Sequence, residues 1–295
     1  MSSSEPRSGK KPPWLKVRFP SHQNFFQVSH VLKKRHLHTI CESARCPNIT
    51  ECWSQKTATF LILGDTCTRS CTFCAVRKAD PLPLREDEPE KVAEAALQMG
   101  LEYVVITSVT RDDLNDGGAS AFIRTIQAVR KKKPGIKIEI LIPDFNGNTQ
   151  ALLEVLHARP DVCNHNIEVP EALYPAINRP RENYIRSLRV LEMARNEGLI
   201  TKSGMIIGLG ERKRDILQTF SDLRRTGCEL LTIGQYLQPT KANAPVSKYY
   251  TPLEFSQMKT IALDFGFAGV EAGPLVRSSF RASRMYQALV QSGTH

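Results

Sequence analysis

One short stretch decides the fold: Ala58-Thr59-Phe60-Leu61-Ile62-Leu63-Gly64, an apolar run that predicts a buried strand. Three residues beyond it begins a Cys-x3-Cys-x2-Cys series, the downstream triplet: Cys67, Cys71 and Cys74. A second series, Cys-x4-Cys-x5-Cys, lies just before the strand and is the upstream triplet: Cys41, Cys46 and Cys52. Structural zinc takes four ligands, whereas cysteine thiolates are the normal ligands of a four-iron cubane. Three cysteines on a cubane leave one iron open for chemistry, so the two triplets predict two iron–sulfur clusters.

Other uses of the cysteines stay open beside this interpretation. Four disulfides would need an oxidising compartment, and residues 1–7 show no apolar segment typical of a secretory signal. Two zinc sites could draw extra ligands from three nearby histidines, His30, His36 and His38. The last two cysteines, Cys163 and Cys228, stand alone in apolar segments, and we assign them to packing.

The composition indicates a soluble globular protein rather than a membrane protein. The chain has 295 residues, 41% of them hydrophobic, and contains no apolar run near the length of a membrane span. Its 40 basic against 30 acidic residues give a net charge of +10, which attracts acidic partners such as nucleic acid or an acidic carrier protein. Part of the excess crowds the first twenty residues and predicts a flexible basic arm, with a transit peptide as the alternative.

Short β-rich runs alternate with amphipathic helical patterns after residue 58. The predicted strands are 58–64, 103–108, 136–142, 161–168, 203–209 and 230–236. The predicted helices are 88–99, 118–132, 148–157, 184–197, 212–226 and 252–265. This alternation is typical of parallel β/α units. Six units are too few for a closed eight-stranded barrel, so we expect α/β architecture with a partial (β/α)6 TIM-type barrel over 58–271, an N-terminal extension over 1–57 and a C-terminal extension over 272–295.

The spacing of the downstream triplet, on a loop after the first strand, resembles the cysteine motif of the radical S-adenosylmethionine superfamily. Phe73 matches the aromatic residue that this family carries before its last cysteine. The segment from Gly204 to Glu211 resembles its G-x-I-x-G-x-x-E motif, with Gly208 and Glu211 in place. The resemblance implies a 4Fe–4S cluster on the three thiolates, with S-adenosylmethionine on the open iron. It also implies cofactor contacts near Asp116, Gly117 and Gly118, where a simple helix cap at Asp116 is the alternative.

The upstream triplet narrows the resemblance to the lipoyl synthase family. Matching segments are Gly64-Asp65-Thr66-Cys67-Thr68-Arg69, Arg111-Asp112-Asp113-Leu114, Asn164-His165-Asn166, Thr201-Lys202-Ser203-Gly204 and Gly273-Pro274-Leu275-Val276-Arg277-Ser278-Ser279. The resemblance implies that Cys41, Cys46 and Cys52 hold an auxiliary 4Fe–4S cluster whose fourth ligand is Ser278, with Ser279 as the alternative. We expect a cofactor contact for Asn164. Lys202 and Arg179 are predicted partners of the cofactor carboxylate or the substrate backbone, with a solvated surface charge as the alternative for each.

The implied reaction is insertion of two sulfur atoms, at carbons 6 and 8, into an octanoyl chain amide-linked to a carrier lysine. One deoxyadenosyl radical would attack each carbon, and the auxiliary cluster would supply the sulfur. The implied cofactors are two 4Fe–4S clusters and S-adenosyl-L-methionine. The expected partners are an octanoylated lipoyl-carrier domain or glycine-cleavage H-type protein, a ferredoxin or flavodoxin as electron donor, and iron–sulfur assembly proteins. We expect a cytoplasmic monomer that binds neither membrane nor nucleic acid; the alternative is another two-cluster radical enzyme acting on tRNA.

Several positions depart from the family pattern. Phe280 stands where tyrosine is usual, Val169 follows Glu168 where threonine is common, and Asn243 takes the place of a histidine. None of these changes removes a predicted cluster cysteine. His165 is open to two interpretations, as a hydrogen-bonded structural histidine or as a residue at the rim of the site, where Asn164 and Asn166 flank it.

Overall fold

A computed structural model describes residues 11–17 and 22–293 of the chain. Its strands are β1 (His38–Thr39), β2 (Thr59–Ile62), β3 (Thr66–Cys67), β4 (Arg77–Lys78), β5 (Tyr103–Ser108), β6 (Lys137–Leu141), β7 (Val162–Asn164), β8 (Ile200–Ile207), β9 (Leu230–Gln235) and β10 (Gly269–Gly273). Its α-helices are α1 (Gln23–Lys34), α2 (Ile40–Ser43), α3 (Ile49–Ser54), α4 (Glu88–Gln98), α5 (Ala119–Lys132), α6 (Thr149–His157), α7 (Glu182–Asn196), α8 (Lys213–Arg225), α9 (Pro252–Asp264) and α10 (Ala282–Gln291). Much of the predicted basic arm, residues 1–10 and 18–21, lies outside the described residues.

The main sheet is an open, curved set of parallel strands. Its order is β1-β2-β5-β6-β7-β8-β9-β10, and every pair from β2 to β10 is parallel. β1 adds an antiparallel edge beside β2, with His38 opposite Leu61. Within the described residues β1 and β10 do not pair, so the barrel does not close. The predicted partial barrel is confirmed.

All six predicted strands and all six predicted helices are present, and the sheet holds one parallel strand more. This seventh strand, β10, pairs with β9 from Gly269↔Leu230 to Gly273↔Gly234. The sequence did not indicate it because glycines occupy both ends and Val270 is its one strongly apolar residue. Pairing with a fully buried neighbour, rather than strand propensity, holds these residues extended.

Local signals explain where the barrel helices begin. Thr251 accepts a hydrogen bond from the Glu254 N–H at 3.2 Å, and the Glu254 carboxylate accepts one from the Thr251 N–H at 2.7 Å. This reciprocal capping box, followed by Pro252 in the first turn, fixes the start of α9. Asn148 caps α6 through its side-chain oxygen, which accepts from the Ala151 N–H at 3.0 Å.

Helices of the two extensions pack in different places. In the N-terminal one, Phe25 of α1 stacks near Trp53 of α3 at 5.2 Å between ring centres. In the C-terminal one, Met285 and Leu289 of α10 pack on residues that begin β7, β8 and β9, and so cover the amino ends of the strands. None of the helices in the described part of the chain has the length and apolar character that crossing a bilayer requires.

Candidate active site

A cavity of about 570 Å³ lies where the parallel strands end. Its walls include the last residues of β5, β6 and β9: Ser108, Leu141 and Gln235. All three cysteines of the upstream triplet line it, together with Cys74 of the downstream triplet. Cys67 and Cys71 lie outside this lining, and Cys71 faces a neighbouring pocket of about 310 Å³. Active sites of β/α barrels lie at the carboxyl ends of the strands. Cysteines of both triplets lie at that end of this barrel.

The upstream triplet is presented by two short helices. Cys41 lies on α2 and Cys52 on α3, and Cys46 lies on the loop between them. Burial raises the pKa of Cys41 to about 11, with the nearby Cys46 thiol adding to the rise. Burial likewise raises the pKa of Cys52 to about 12, with Cys41 and Cys46 adding to it. The three sulfurs thus sit close enough to affect one another, and metal binding would have to displace their protons.

The downstream triplet lies on the loop that follows β2. Burial raises the pKa of Cys74 to about 11, and the neighbouring Cys71 and Cys67 raise it further. The Arg179 guanidinium donates to the Cys71 sulfur at 3.2 Å. The Lys78 ammonium donates to the Cys71 carbonyl at 3.0 Å. Arg179 thus places a positive charge beside the Cys71 sulfur, and Lys78 holds the backbone of the same residue.

Backbone carbonyls of the same loop are held from outside by Asn243. Its side-chain nitrogen donates to the carbonyls of Thr72 and Cys74, both at 3.0 Å. The Ala244 N–H also donates to Thr72, and the Thr72 N–H donates to Ile177 on the other side. Asn243, which stands where the family commonly has histidine, therefore contacts the loop that carries the downstream triplet.

The C-terminal segment enters the cavity beside the upstream triplet. Ser278, Ser279 and Phe280 all line the cavity. The Ser278 hydroxyl donates to the Asn166 side-chain oxygen at 2.8 Å. Behind Ser278 lies Gly204 of β8, where an added Cβ would sit 2.7 Å from the serine oxygen, so only glycine fits without a shift.

Contacts between the two chain ends fix this segment next to the upstream triplet. The Asn48 side chain donates to the Leu275 carbonyl at 2.5 Å. Arg277 is half-buried; desolvation lowers its pKa, and the Cys46 thiol opposes that change. The Val276 carbonyl lies over Gly234, where an added Cβ would approach it to 2.1 Å. The residues around a cluster on the upstream triplet therefore come from both ends of the sequence.

Among the predicted cofactor-binding residues, Phe73 lines the cavity. The Arg179 guanidinium lies 5.7 Å from the centre of its ring. At the start of α5, the Asp116 carboxylate accepts from the N–H groups of Gly118 at 2.9 Å and Ser120 at 2.8 Å. Gly117 and Gly118 form the left-handed turn before that helix, and all three residues lie outside the cavity lining.

Asn164 and Lys202 lie in a buried polar cluster within the sheet. The Lys202 ammonium lies 2.9 and 3.2 Å from the two oxygens of Glu139. The Glu139 carboxylate also accepts hydrogen bonds from the Asn164 amide at 3.0 Å and from the Tyr103 hydroxyl at 2.7 Å. Neither Asn164 nor Lys202 lines the cavity, and Glu139 is the partner of both.

Gly208 and Glu211 form the turn that follows β8. The Glu211 carboxylate accepts from the N–H groups of Gly208 at 2.6 Å and Leu209 at 2.9 Å. Gly208 has a φ of 109°, and an added Cβ would meet the Gln235 amide at 2.2 Å. Both residues shape the end of the strand and lie outside the cavity lining.

His165 is a hydrogen-bonded structural histidine that also reaches the cavity wall. Its ring nitrogens lie 2.8 Å from the Ile142 carbonyl and 2.9 Å from the Ser187 hydroxyl. Burial lowers its pKa to about 4, although Asp144 opposes this, so the ring is neutral at physiological pH.

Three further charged side chains of the cavity were not indicated by the sequence as site residues: Arg69, Asp144 and Glu168. Arg69 contacts Asp144 at 2.6 Å, and Asp144 lies in the wall. Glu168 has a left-handed backbone with a φ of 65°; burial raises its pKa, and Arg179 opposes that rise. Backbone strain of this kind clusters at active sites, but the sequence alone does not reveal the dihedral angle.

The arrangement of the cysteines bears on the two alternatives to iron–sulfur clusters, disulfides and zinc sites. All eight cysteines are free in the structure. Among the described residues no three His, Cys, Asp or Glu side chains converge as the ligands of one metal ion would. A cubane sets a different requirement, because each of its cysteines binds a different iron.

Comparison with known proteins agrees with the parallel barrel and the cysteine loop. The family model of the Radical SAM superfamily matches residues 61–223. SuiB from Streptococcus suis, solved bound to S-adenosylmethionine, superposes with a TM-score of 0.57 at 11% identity. The match covers 73% of this chain, which spans about half the length of SuiB (50%) and shares its fold. This chain is a radical S-adenosylmethionine protein.

A family model for the N-terminal residues and a comparison with close relatives show the family to which the chain belongs. The model for the N-terminal domain of lipoyl synthase matches residues 3–46. Lipoyl synthases of Rubrobacter xylanophilus and Caldicellulosiruptor bescii are each 52% identical to this chain; both matches cover 92% of it, and 85% and 94% of those proteins. The chain belongs to the lipoyl synthase family, whose members insert sulfur and use S-adenosylmethionine and two 4Fe–4S clusters.

Proposed function

We propose that this enzyme inserts sulfur at carbons 6 and 8 of a carrier-bound octanoyl chain, within the 570 Å³ cavity. One observation supports this proposal above all others. The upstream triplet, Cys74 and Ser278 face one space, so a sulfur source and a radical source would meet the same acyl chain. Saturated C–H bonds offer neither an acidic proton nor an electrophilic carbon, and acid–base residues alone cannot activate them.

In this proposal each triplet holds its own cluster. Cys67, Cys71 and Cys74 bind the cluster that carries S-adenosylmethionine. Cys41, Cys46 and Cys52 bind the second cluster, with Ser278 as fourth ligand. When bound, these groups supply an electron, a hydrogen-abstracting radical and sulfide. Residues 1–57 and 272–295 thus serve the second cluster, and the barrel over 58–271 serves the first.

The protein residues contribute position, charge and exclusion of water. Arg179 lies between Cys71 and Glu168 and offsets negative charge beside the downstream triplet. Asn166 accepts from the Ser278 hydroxyl and so keeps the serine oxygen near the upstream triplet. Apolar wall residues such as Leu141, Ile142 and Leu237 can cover the acyl chain. Burying its six methylenes would contribute about 5 kcal/mol, at about 0.8 kcal/mol each.

The proposal includes partners and a compartment. The acyl donor is an octanoylated lipoyl-carrier domain or H-type protein, and a ferredoxin or flavodoxin supplies electrons. Iron–sulfur assembly proteins load the clusters, and the enzyme acts as a monomer. A reducing cytoplasm suits it, because the six thiols of the two triplets must stay free to bind iron.

Labelled sulfide tests the assignment of the two triplets. The protein is reconstituted anaerobically, with eight irons per chain expected, and the upstream cluster is rebuilt from ³⁴S sulfide. A single turnover on an octanoyl-lysine peptide should place ³⁴S in the product. Cys46→Ala should still form deoxyadenosine but make no lipoyl product. Unlabelled product, or lipoyl product from Cys46→Ala at the wild-type rate, would show that the upstream triplet is not the sulfur source.

A further inference from the structure

The exposed charges at the cavity are all of one sign. Among the residues that line it, Lys11 and Arg45 are exposed to solvent. The two acidic lining residues lie deeper: Asp144 is buried beside Arg69, and Glu168 is half-buried beside Arg179. The opening of the cavity therefore presents positive charge outward, while its acidic groups are balanced inside.

The residues at the opening are held in place by neighbouring structure. Arg45 has a left-handed backbone with a φ of 50°, and its guanidinium donates to the Pro239 carbonyl at 3.3 Å. Lys11 precedes a 3₁₀ turn, Pro13–Leu15, whose Leu15 is buried in the cavity wall. Val17, 49% exposed, adds an apolar patch to the same lining. We call Lys11, Val17 and Arg45 the cavity rim.

We propose that the cavity rim docks an acidic face of the acyl-carrier protein, next to its octanoylated lysine. This inference rests on the proposed function. The acyl chain can enter the cavity but the folded carrier cannot, so the carrier must press against the residues around the opening. Lys11 and Arg45 would attract carboxylates flanking the modified lysine, and Val17 would cover apolar surface beside it. The net charge of +10 extends the same attraction over a longer range.

Charge reversal on the holoenzyme tests this docking surface. Arg45→Glu and, on a separate segment, Lys11→Glu are compared with Arg189→Glu, an exposed position of α7 outside the cavity lining. Each variant changes the net charge by the same amount. The measured quantity is the ratio of turnover on octanoylated carrier protein to turnover on a neutral octanoyl-lysine peptide. We expect the rim variants to lower this ratio about tenfold at low ionic strength, and the difference to shrink as salt rises.

Distinct results separate the docking surface from the reaction itself. A wild-type protein that converts the peptide, with rim variants whose ratio equals that of Arg189→Glu at every salt concentration, overturns the docking surface alone. A fully reconstituted wild-type protein that converts neither substrate overturns the proposed function. Competitive displacement of the carrier by stoichiometric tRNA, abolished by Arg45→Glu, would assign the rim to nucleic acid and also overturn the inference.

Discussion

Replacing Lys202 by methionine distinguishes a structural ion pair from a cofactor ligand. The Lys202 and Glu139 side chains are 0% and 1% exposed, and their nearest nitrogen–oxygen distance is 2.9 Å. Lys202→Met preserves much of the side-chain length but leaves the Glu139 carboxylate buried without a counter-charge. Breaking a buried pair by removing one partner costs about 3–5 kcal/mol.

In the Lys202→Met variant, protonation of the Glu139 carboxyl limits the loss of unfolding free energy. At about 1.4 kcal/mol per pH unit, a carboxyl that must take up a proton at neutral pH costs about 3–4 kcal/mol. Asn164 and Tyr103 still donate to Glu139, so its oxygens keep partners. We therefore expect Lys202→Met to lose about 3–4 kcal/mol of unfolding free energy at pH 7. The loss should shrink as the pH falls toward 5, because the unfolded chain then binds the same proton more readily.

Urea unfolding of the cluster-free chain measures this free energy. Lys137→Met is the matched control: its ion pair with Asp161, at 2.9 Å, is 46% exposed on the lysine side and should contribute less than about 1 kcal/mol. The double variant Lys202→Met with Glu139→Gln should regain most of the loss, because no buried charge then remains. A Lys202→Met protein of unchanged stability that no longer binds S-adenosylmethionine would refute this reasoning and make Lys202 a cofactor ligand.

Four further substitutions test the site and its supports. Cys71→Ala should abolish deoxyadenosine formation and leave about four irons per chain; the wild-type rate would contradict the assignment of the downstream triplet. Asn243→Ala removes two hydrogen bonds to the cluster loop, which should cost about 1–3 kcal/mol and broaden the electron paramagnetic resonance signal of the reduced cluster. An unchanged signal would mean that Asn243 does not position the loop. Gly234→Ala should cost about 1–3 kcal/mol and lower iron occupancy of the upstream cluster, whereas Gly273→Ala, whose Cβ would lie 3.3 Å from the Val276 side chain, should change both less. Equal effects of the two glycine variants would argue against displacement of the C-terminal segment. Since the pKa of His165 is lowered to about 4, stability should fall as the pH drops from about 6.5 to 4, because the unfolded chain binds a proton there that the folded chain does not; His165→Gln should flatten that part of the pH profile.

Periodicity in the sequence was enough to predict most of the barrel. The run from Thr59 to Ile62 is entirely buried, and such runs identify a strand without knowledge of its neighbours. β10 lacks this signal, because half-exposed glycine, glutamate and alanine residues dominate it and pairing with β9 makes it a strand. What pattern analysis missed was thus an element that depends on a partner.

The same reasoning applies to the site residues. Closely spaced cysteines keep their chemistry in any fold, so the two triplets could be recognised from spacing alone. Lys202 and Glu139 are 63 residues apart in the chain and meet only because β6, β7 and β8 pair in one particular register. No local feature of the sequence near Lys202 distinguishes an ammonium that faces a cofactor from one that faces a buried carboxylate.

The arrangement of the chain ends makes the upstream triplet dependent on the whole fold. Asn48 and Leu275 are 227 residues apart, and their hydrogen bond joins the loop after Cys46 to the segment that carries Ser278. That segment can lie there only because Gly234 and Gly204 leave room for its backbone and for the serine hydroxyl. The downstream triplet follows β2 directly and draws its nearest support, Arg179 and Asn243, from loops of the barrel. Loss of the C-terminal segment should therefore affect the upstream triplet first, because the two triplets draw their supports from different parts of the chain.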